Sequence, residues 1–166
     1  MDSGQGACVS TVDLPDHRQL GSRVAGSTEL LDIRLFASEC NLYEFPPEGE
    51  TLRTVVTVTP TVQTDETRTF VANLTFSIEV KTNTELSDQV MEVAAFKCSY
   101  GALYATEGEG EFEHDELEAF TASVGALAMY PYARQFVHAQ STAMGLAPLV
   151  MPILRLSTPW QTHRAD

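Results

Sequence analysis

The densest run of reactive side chains lies between Glu107 and Glu118, where "EGEGEFEHDELE" sets seven carboxylates around His114. Carboxylates beside an imidazole can hold a hard cation or move a proton. The spacing suits neither. No EF-hand pattern is present, and alternating glutamates on an extended segment point their side chains apart. Asp115 and Glu116 fit the first turn of a helix instead, where the helix dipole favours negative charge. The glycines of "GEGEFE" cannot cradle a phosphate, because carboxylates stand where bare N–H groups are needed.

The remaining candidates are scattered. His17, His114, His138 and His163 lie far apart in the chain, and HExxH, GxSxG, P-loop and Rossmann glycine patterns are missing. Cys8, Cys40 and Cys98 form no CxxC pair. A zinc site or disulfide framework is therefore not expected, and a reducing cytoplasm suits the chain best. Cys40 and Cys98 fall in strand-like runs as small core residues. No catalytic residue, metal site or cofactor is nominated, and the expectation is a protein that is not an enzyme.

Net charge narrows the partners. The chain carries 23 acids against 10 bases, a net of −13. Such a field disfavours nucleic acid and anionic membranes, attracts cationic clients and keeps a sticky surface soluble. No long apolar run follows a basic start and no run of about 18 apolar residues occurs, so neither a signal peptide nor membrane insertion is expected.

The elements that would position a site follow from periodicity. Residues 1 to 12 are rich in small polar types and are expected to be flexible. Asp13 and Pro15 suit the start of a short helix reaching Val24, with Leu20 and Val24 as its stripe. Four strands are expected over about 29–45, 51–63, 69–81 and 90–104. Phe70, Ala72, Leu74, Phe76, Ile78 and Val80 alternate cleanly with polar residues in the third. Pro60 makes the second an edge strand or a bulged one. A change of apolar phase near Ala94 and Ala95 predicts a bulge in the fourth. Strands followed by helices indicate an α+β fold.

Two helices should follow. Leu117, Phe120, Val124 and Leu127 repeat at helical spacing, and Pro131 should stop or kink the helix they form. A second helix should run from about Pro131 to Met144 and end at Gly145. Tyr130, Pro131, Tyr132 and Arg134 read as a structural hinge fixing the angle between the two. Arg134 is expected to pair with a carboxylate or with backbone carbonyls. The second helix is apolar over more than one stripe, which leaves surface for a partner.

The "YPYAR" run, Tyr130 to Arg134, closely resembles the "FPYAR" core of the SecB export chaperones. The likeness extends without a gap from Glu113 to Arg134. "IRLFASECNLYEF", Ile33 to Phe45, looks like the family's first strand, and "GLAPLVMPI", Gly145 to Ile153, like its segment after the second helix. The resemblance implies an α+β, SecB-like domain over 29–156. It has an antiparallel four-stranded sheet, two main C-terminal helices and assembly as a dimer of dimers. Residues 1–28 would precede the domain, and 157–166 would form a tail.

The resemblance also implies a function. SecB-like proteins hold unfolded polypeptides without ATP, either secretory precursors or, in a stand-alone branch, the antitoxin of a toxin–antitoxin system. By position it nominates Leu42, Phe45, Phe136, Ala139, Gln140 and Met144 for client binding. It nominates Leu117, Phe120, Val124 and Leu127 for the interface of a homotetramer. SecA is a further partner that the resemblance allows, although the family's export members continue into another helix and a SecA-contacting tail. Here "LRLSTPWQTHRAD" holds no amphipathic repeat, which favours the antitoxin branch. The rival reading is a small-molecule-binding α+β protein or enzyme with an internal cavity.

Overall fold

The computed structural model describes residues 11–15, 17–65, 68–82, 89–108 and 111–157. The stretch before Thr11, nearly all of the "TNTELSD" connection, part of the "TDET" turn and the tail after Ser157 lie outside the described residues.

A four-stranded antiparallel sheet forms the body. Its strands are β2 (Thr28–Leu42), β3 (Leu52–Thr64), β4 (Thr69–Thr82) and β5 (Glu92–Thr106), in the order β2-β5-β4-β3. The two central strands carry the alternation most clearly. Phe70, Leu74, Phe76, Ile78 and Val80 of β4 are buried on one face, as are Phe96, Cys98, Tyr100 and Tyr104 of β5. Pro60 sits on the outermost strand, opposite Leu74 in an unbroken register, where a missing ladder donor faces no neighbour. The phase change in β5 is a bulge at Val93: Ala94 pairs with Val80, and Glu92 with Lys81.

Edge strand β2 is less regular. Its register slips between Leu30 and Asp32 and again between Leu35 and Ala37. The second slip puts Phe36 on the uncovered sheet face, over Gly101. A Cβ there would collide with the Phe36 ring.

Helices cover the apolar face. The helical run comprises α2 (His114–Phe120), a π-helical turn (Thr121–Gly125) and α3 (Ala126–Ala143). It starts as expected, with Asp115 and Glu116 in its first turn and the Glu116 carboxylate accepting the Glu113 N–H at 2.9 Å. The Phe120 ring stands edge-on to both Phe70 and Tyr104, fixing α2 over one end of the sheet.

The expected break at Pro131 does not occur. Pro131 lies inside α3, and the helix runs on to Ala143, with Gly145 at φ +79° just beyond. The proline deprives only the Leu127 carbonyl of its donor. Both residues are on the exposed side, where water can replace it. Departure from α geometry comes earlier, at Thr121–Gly125. The Thr121 and Ser123 hydroxyls donate to the carbonyls of Leu117 and Ala119 at 2.8 and 2.7 Å, satisfying groups that the wider turn would strand. The chain therefore has one interrupted helical run, not two helices hinged at a proline.

The N-terminal helix also differs from expectation. Asp13 and Pro15 belong to a strand, β1 (Thr11–Pro15), which pairs in parallel with β6 (Ile153–Ser157). Helix α1 (Arg18–Ala25) starts later. Pairing with a strand more than a hundred residues away outweighs a local capping preference, and no local signal could reveal it. Gly21, which weakens the helix by propensity, is what lets α1 dock. It is buried, and a Cβ there would meet the Phe120 backbone at 2.8 Å.

Arg23 then pins α1 to α2. Its Nε donates to Glu116 Oε1 at 2.9 Å, and its guanidinium lies 5.2 Å from the Phe112 ring centre. The hydrogen bond from Arg23 holds the Glu116 carboxyl below the usual carboxylate range. This contribution is present above the ordinary carboxylate pKa and is lost as pH falls through the depressed one.

Replacing Gly21 with Ala should force α1 away from rigid backbone. The expected cost is about 1–3 kcal/mol, read as a lower denaturation midpoint in urea. A midpoint equal to the parent's would show that α1 can shift without loss.

Candidate functional site

The part of the helix-side face that the helices leave open is built from β2. Directly opposed residues of an antiparallel pair share a face. Leu30, Ile33, Leu35, Ser38, Cys40 and Leu42 oppose Tyr104, Ala102, Tyr100, Cys98, Phe96 and Ala94, so all six lie on the helix side. Yet Leu30 and Leu35 are 43% and 45% exposed, because no helix reaches them.

The flank of α3 forms the wall. Tyr132, Phe136, Ala139 and Ala143 recur at intervals of four, three and four and so lie along one side. Tyr132 is exposed, and its ring centre lies 6.0 Å from that of Tyr100. The Tyr100 hydroxyl donates to the Tyr132 carbonyl at 3.3 Å, tying wall to floor. At the far end the Phe45 ring reaches the turn after α3, where a Cβ on Gly145 would touch Phe45 Cε1 at 3.8 Å. The result is an apolar groove running beside α3 from Tyr132 towards Phe45.

The residues nominated for client binding gather along this groove. Phe45 is 60% exposed at its end. Leu42, Phe136 and Met144 are half-buried against the core, Gln140 is half-buried and Ala139 is exposed. Floor residues Leu30, Ile33, Leu35 and Cys40 were not nominated. The signal for them is strand alternation combined with the β2–β5 register, and the two slips in β2 hide that register in the sequence.

The interface and hinge candidates divide differently. Leu117 and Phe120 are buried in the chain's own core and are closed to a partner, Val124 is half-buried, and Leu127 is 46% exposed. Tyr130 is buried and donates its hydroxyl to the Pro152 carbonyl, anchoring the segment after α3. Burial pushes its pKa up to about 12. Tyr132 faces the groove rather than the core. Arg134 is exposed and makes no ion pair among the described residues, so the expected carboxylate partner is not found there.

The groove holds neutral chemistry. Cys40 and Cys98 are both free thiols. Burial raises both, Cys98 to about 12, so neither is a ready nucleophile. Among the described residues no group of three or more His, Cys, Asp or Glu side chains could hold a metal ion. No described helix is long and apolar enough to cross a membrane.

Comparison with known proteins follows the same outline. No family model matches the chain. The SecB-like chaperone Rv1957 of Mycobacterium tuberculosis is 26% identical over 157 residues, covering 87% of each chain. The SecB-like chaperone SmegB of Mycolicibacterium smegmatis is 28% identical over 99 residues, covering 55% of this chain and 68% of its own length. A solved structure of Rv1957 with a ChAD peptide from the HigA1 antitoxin superimposes with a TM-score of 0.74 at 26% identity. The match covers 84% of this chain and 99% of that one.

Sequence and fold both support the SecB-like family for this chain. Its α+β fold, an antiparallel four-stranded sheet with a long helix across one face, is the SecB-like fold. Within that fold, "YPYAR" turns out to be helix interior. Tyr130 faces the core, Tyr132 faces the groove, and Pro131 faces solvent between them.

The groove floor can be probed through its thiols. In a Cys8→Ser background, a maleimide should label Cys40 and spare buried Cys98 in the folded protein, read by peptide mass after digestion. Labelling of Cys98 at the Cys40 rate would mean that the floor is not closed.

Proposed function

We propose that this SecB-like protein is an ATP-independent holdase for non-native polypeptides. The observation that carries the reading is the apolar groove between β2 and α3, lined by uncharged side chains, with Leu30, Leu35, Tyr132 and Phe45 exposed along it. Such a groove takes extended apolar segments with little demand for side-chain specificity. The net charge of −13 keeps copies with this exposed surface soluble. The Rv1957 structure with its antitoxin peptide supports a polypeptide client and, more narrowly, an antitoxin. Export, coupling to SecA and an internal catalytic cavity have no comparable support. Free thiols at Cys40 and Cys98 are in keeping with a cytoplasmic protein.

Light scattering of a denatured client diluted into buffer tests the reading. Near-stoichiometric protein should suppress the rise without ATP. Phe45→Ser with Phe136→Ser should lower capacity several-fold while circular dichroism stays folded. An unchanged capacity would move the site away from this groove, and no protection by the parent protein would sink the holdase reading.

Assembly as a homotetramer belongs to the same proposal, with the contact placed at Leu127 and half-buried Val124 rather than at Leu117 and Phe120. Multi-angle light scattering at micromolar concentration should give about four chains. Leu127→Glu should give smaller species, since an unpaired charge in an apolar contact costs several kcal/mol. A monomeric parent protein would remove the interface argument.

A further inference from the structure

A second concavity lies away from the groove, beneath α1. It is an open cleft of about 460 Å³ between Leu20 of α1, Pro60 of β3, and Asp115, Glu118, Ala119 and Ala122 of the helical run. Small residues on the helical side leave the space. Leu20 is 52% exposed, so its apolar surface faces the cleft without a covering partner among the described residues. Pro60 brings no N–H, and the outer edge of β3 offers no donor at this point. The walls are therefore mainly apolar, with His17 and Thr61 adding polar lining beside one charged rim.

That rim is acidic. Asp115 and Glu118 are exposed there, and among the described residues Glu118 pairs with His114, at 3.1 Å. Glu116, between them, is already engaged by Arg23 on the other side of α2. The geometry does not depend on a ligand, because the Gly21 contact and the Arg23 pin already hold α1 against α2. An apolar trough ending in two carboxylates matches a side chain with a long apolar stem and a cationic head. A planar guanidinium can use both oxygens of a carboxylate, which an ammonium cannot.

We propose that this cleft is a second client-docking site, taking an arginine flanked by an apolar residue in the client's extended chain. The assignment rests on the holdase reading. The apolar neighbour packs on Leu20 and Pro60, and the guanidinium pairs with Asp115 and Glu118. The groove then supplies unspecific apolar contact, and the cleft supplies a preference for clients with basic residues beside apolar ones.

Two labelled hexapeptides test this, one containing Leu-Arg and one with citrulline in place of the arginine. They would be titrated onto the full chain by fluorescence anisotropy. Because the rim is exposed, the arginine peptide should bind about three- to fivefold tighter. Asp115→Asn with Glu118→Gln should erase that gap, and Leu20→Ser should weaken both peptides. The groove variant, Phe45→Ser with Phe136→Ser, should keep the gap. Equal binding of the two peptides to the parent protein, or a gap that survives the rim variant, overturns the proposal. A failed holding assay with the gap intact would overturn the holdase reading instead.

Discussion

One mismatch of dimensions governs this molecule. Four strands spaced about 4.8 Å apart present an apolar face wider than a single helix, which is about 10 Å across, can cover. The helical run settles over β4 and β5, whose helix-side residues are almost completely buried. Leu146, Leu149 and Met151, buried in the segment after α3, add further cover. Cover of β2 is partial: Ile33, Cys40 and Leu42 are half-buried against the core, while Leu30 and Leu35 stay exposed. A groove is the geometric remainder of that packing.

The same packing explains why the devices at the ends matter. Gly21, Arg23 and Glu116 hold α1 against the start of the run, while Tyr130 holds the returning segment through Pro152. Tyr100 links α3 to the floor through the Tyr132 carbonyl. Between these anchors the π turn lets the run change from α2 to α3 without a break, its spare carbonyls taken up by Thr121 and Ser123. A wall fixed in this way can stay open towards solvent, which a groove for extended chains requires.

What was readable beforehand tracks how local each cause is. The alternation in β4 depends on neighbours two apart and appears in the structure residue for residue. Pro60 at an edge and a bulge next to Ala94 follow from single-residue chemistry, and both are present. The continuation of α3 through Pro131 is not legible locally, because helix breaking depends on whether the freed carbonyl is wet, a tertiary fact. β1 is not legible locally either, because its partner, β6, is remote in sequence. The groove was half legible. Phe45, Phe136 and Met144 stand out by type, but Leu30, Ile33 and Leu35 join them only through a register that slips twice.

Charge and the apolar groove work over different ranges, which is what allows both on one surface. At physiological salt the screening length is about 8 Å, so a net charge of −13 acts only over short gaps. It is enough to discourage copies of the chain from meeting at random. It does not oppose a neutral or basic segment that arrives within contact distance. Once there, removal of apolar surface from water dominates and is indifferent to sequence. A surface of this kind selects for extended, apolar, non-acidic chain, the character of an unfolded or aggregation-prone polypeptide, and selects against another copy of itself. The self-contact proposed at Leu127 therefore needs shape complementarity as well as apolar area, because the charge term alone works against it.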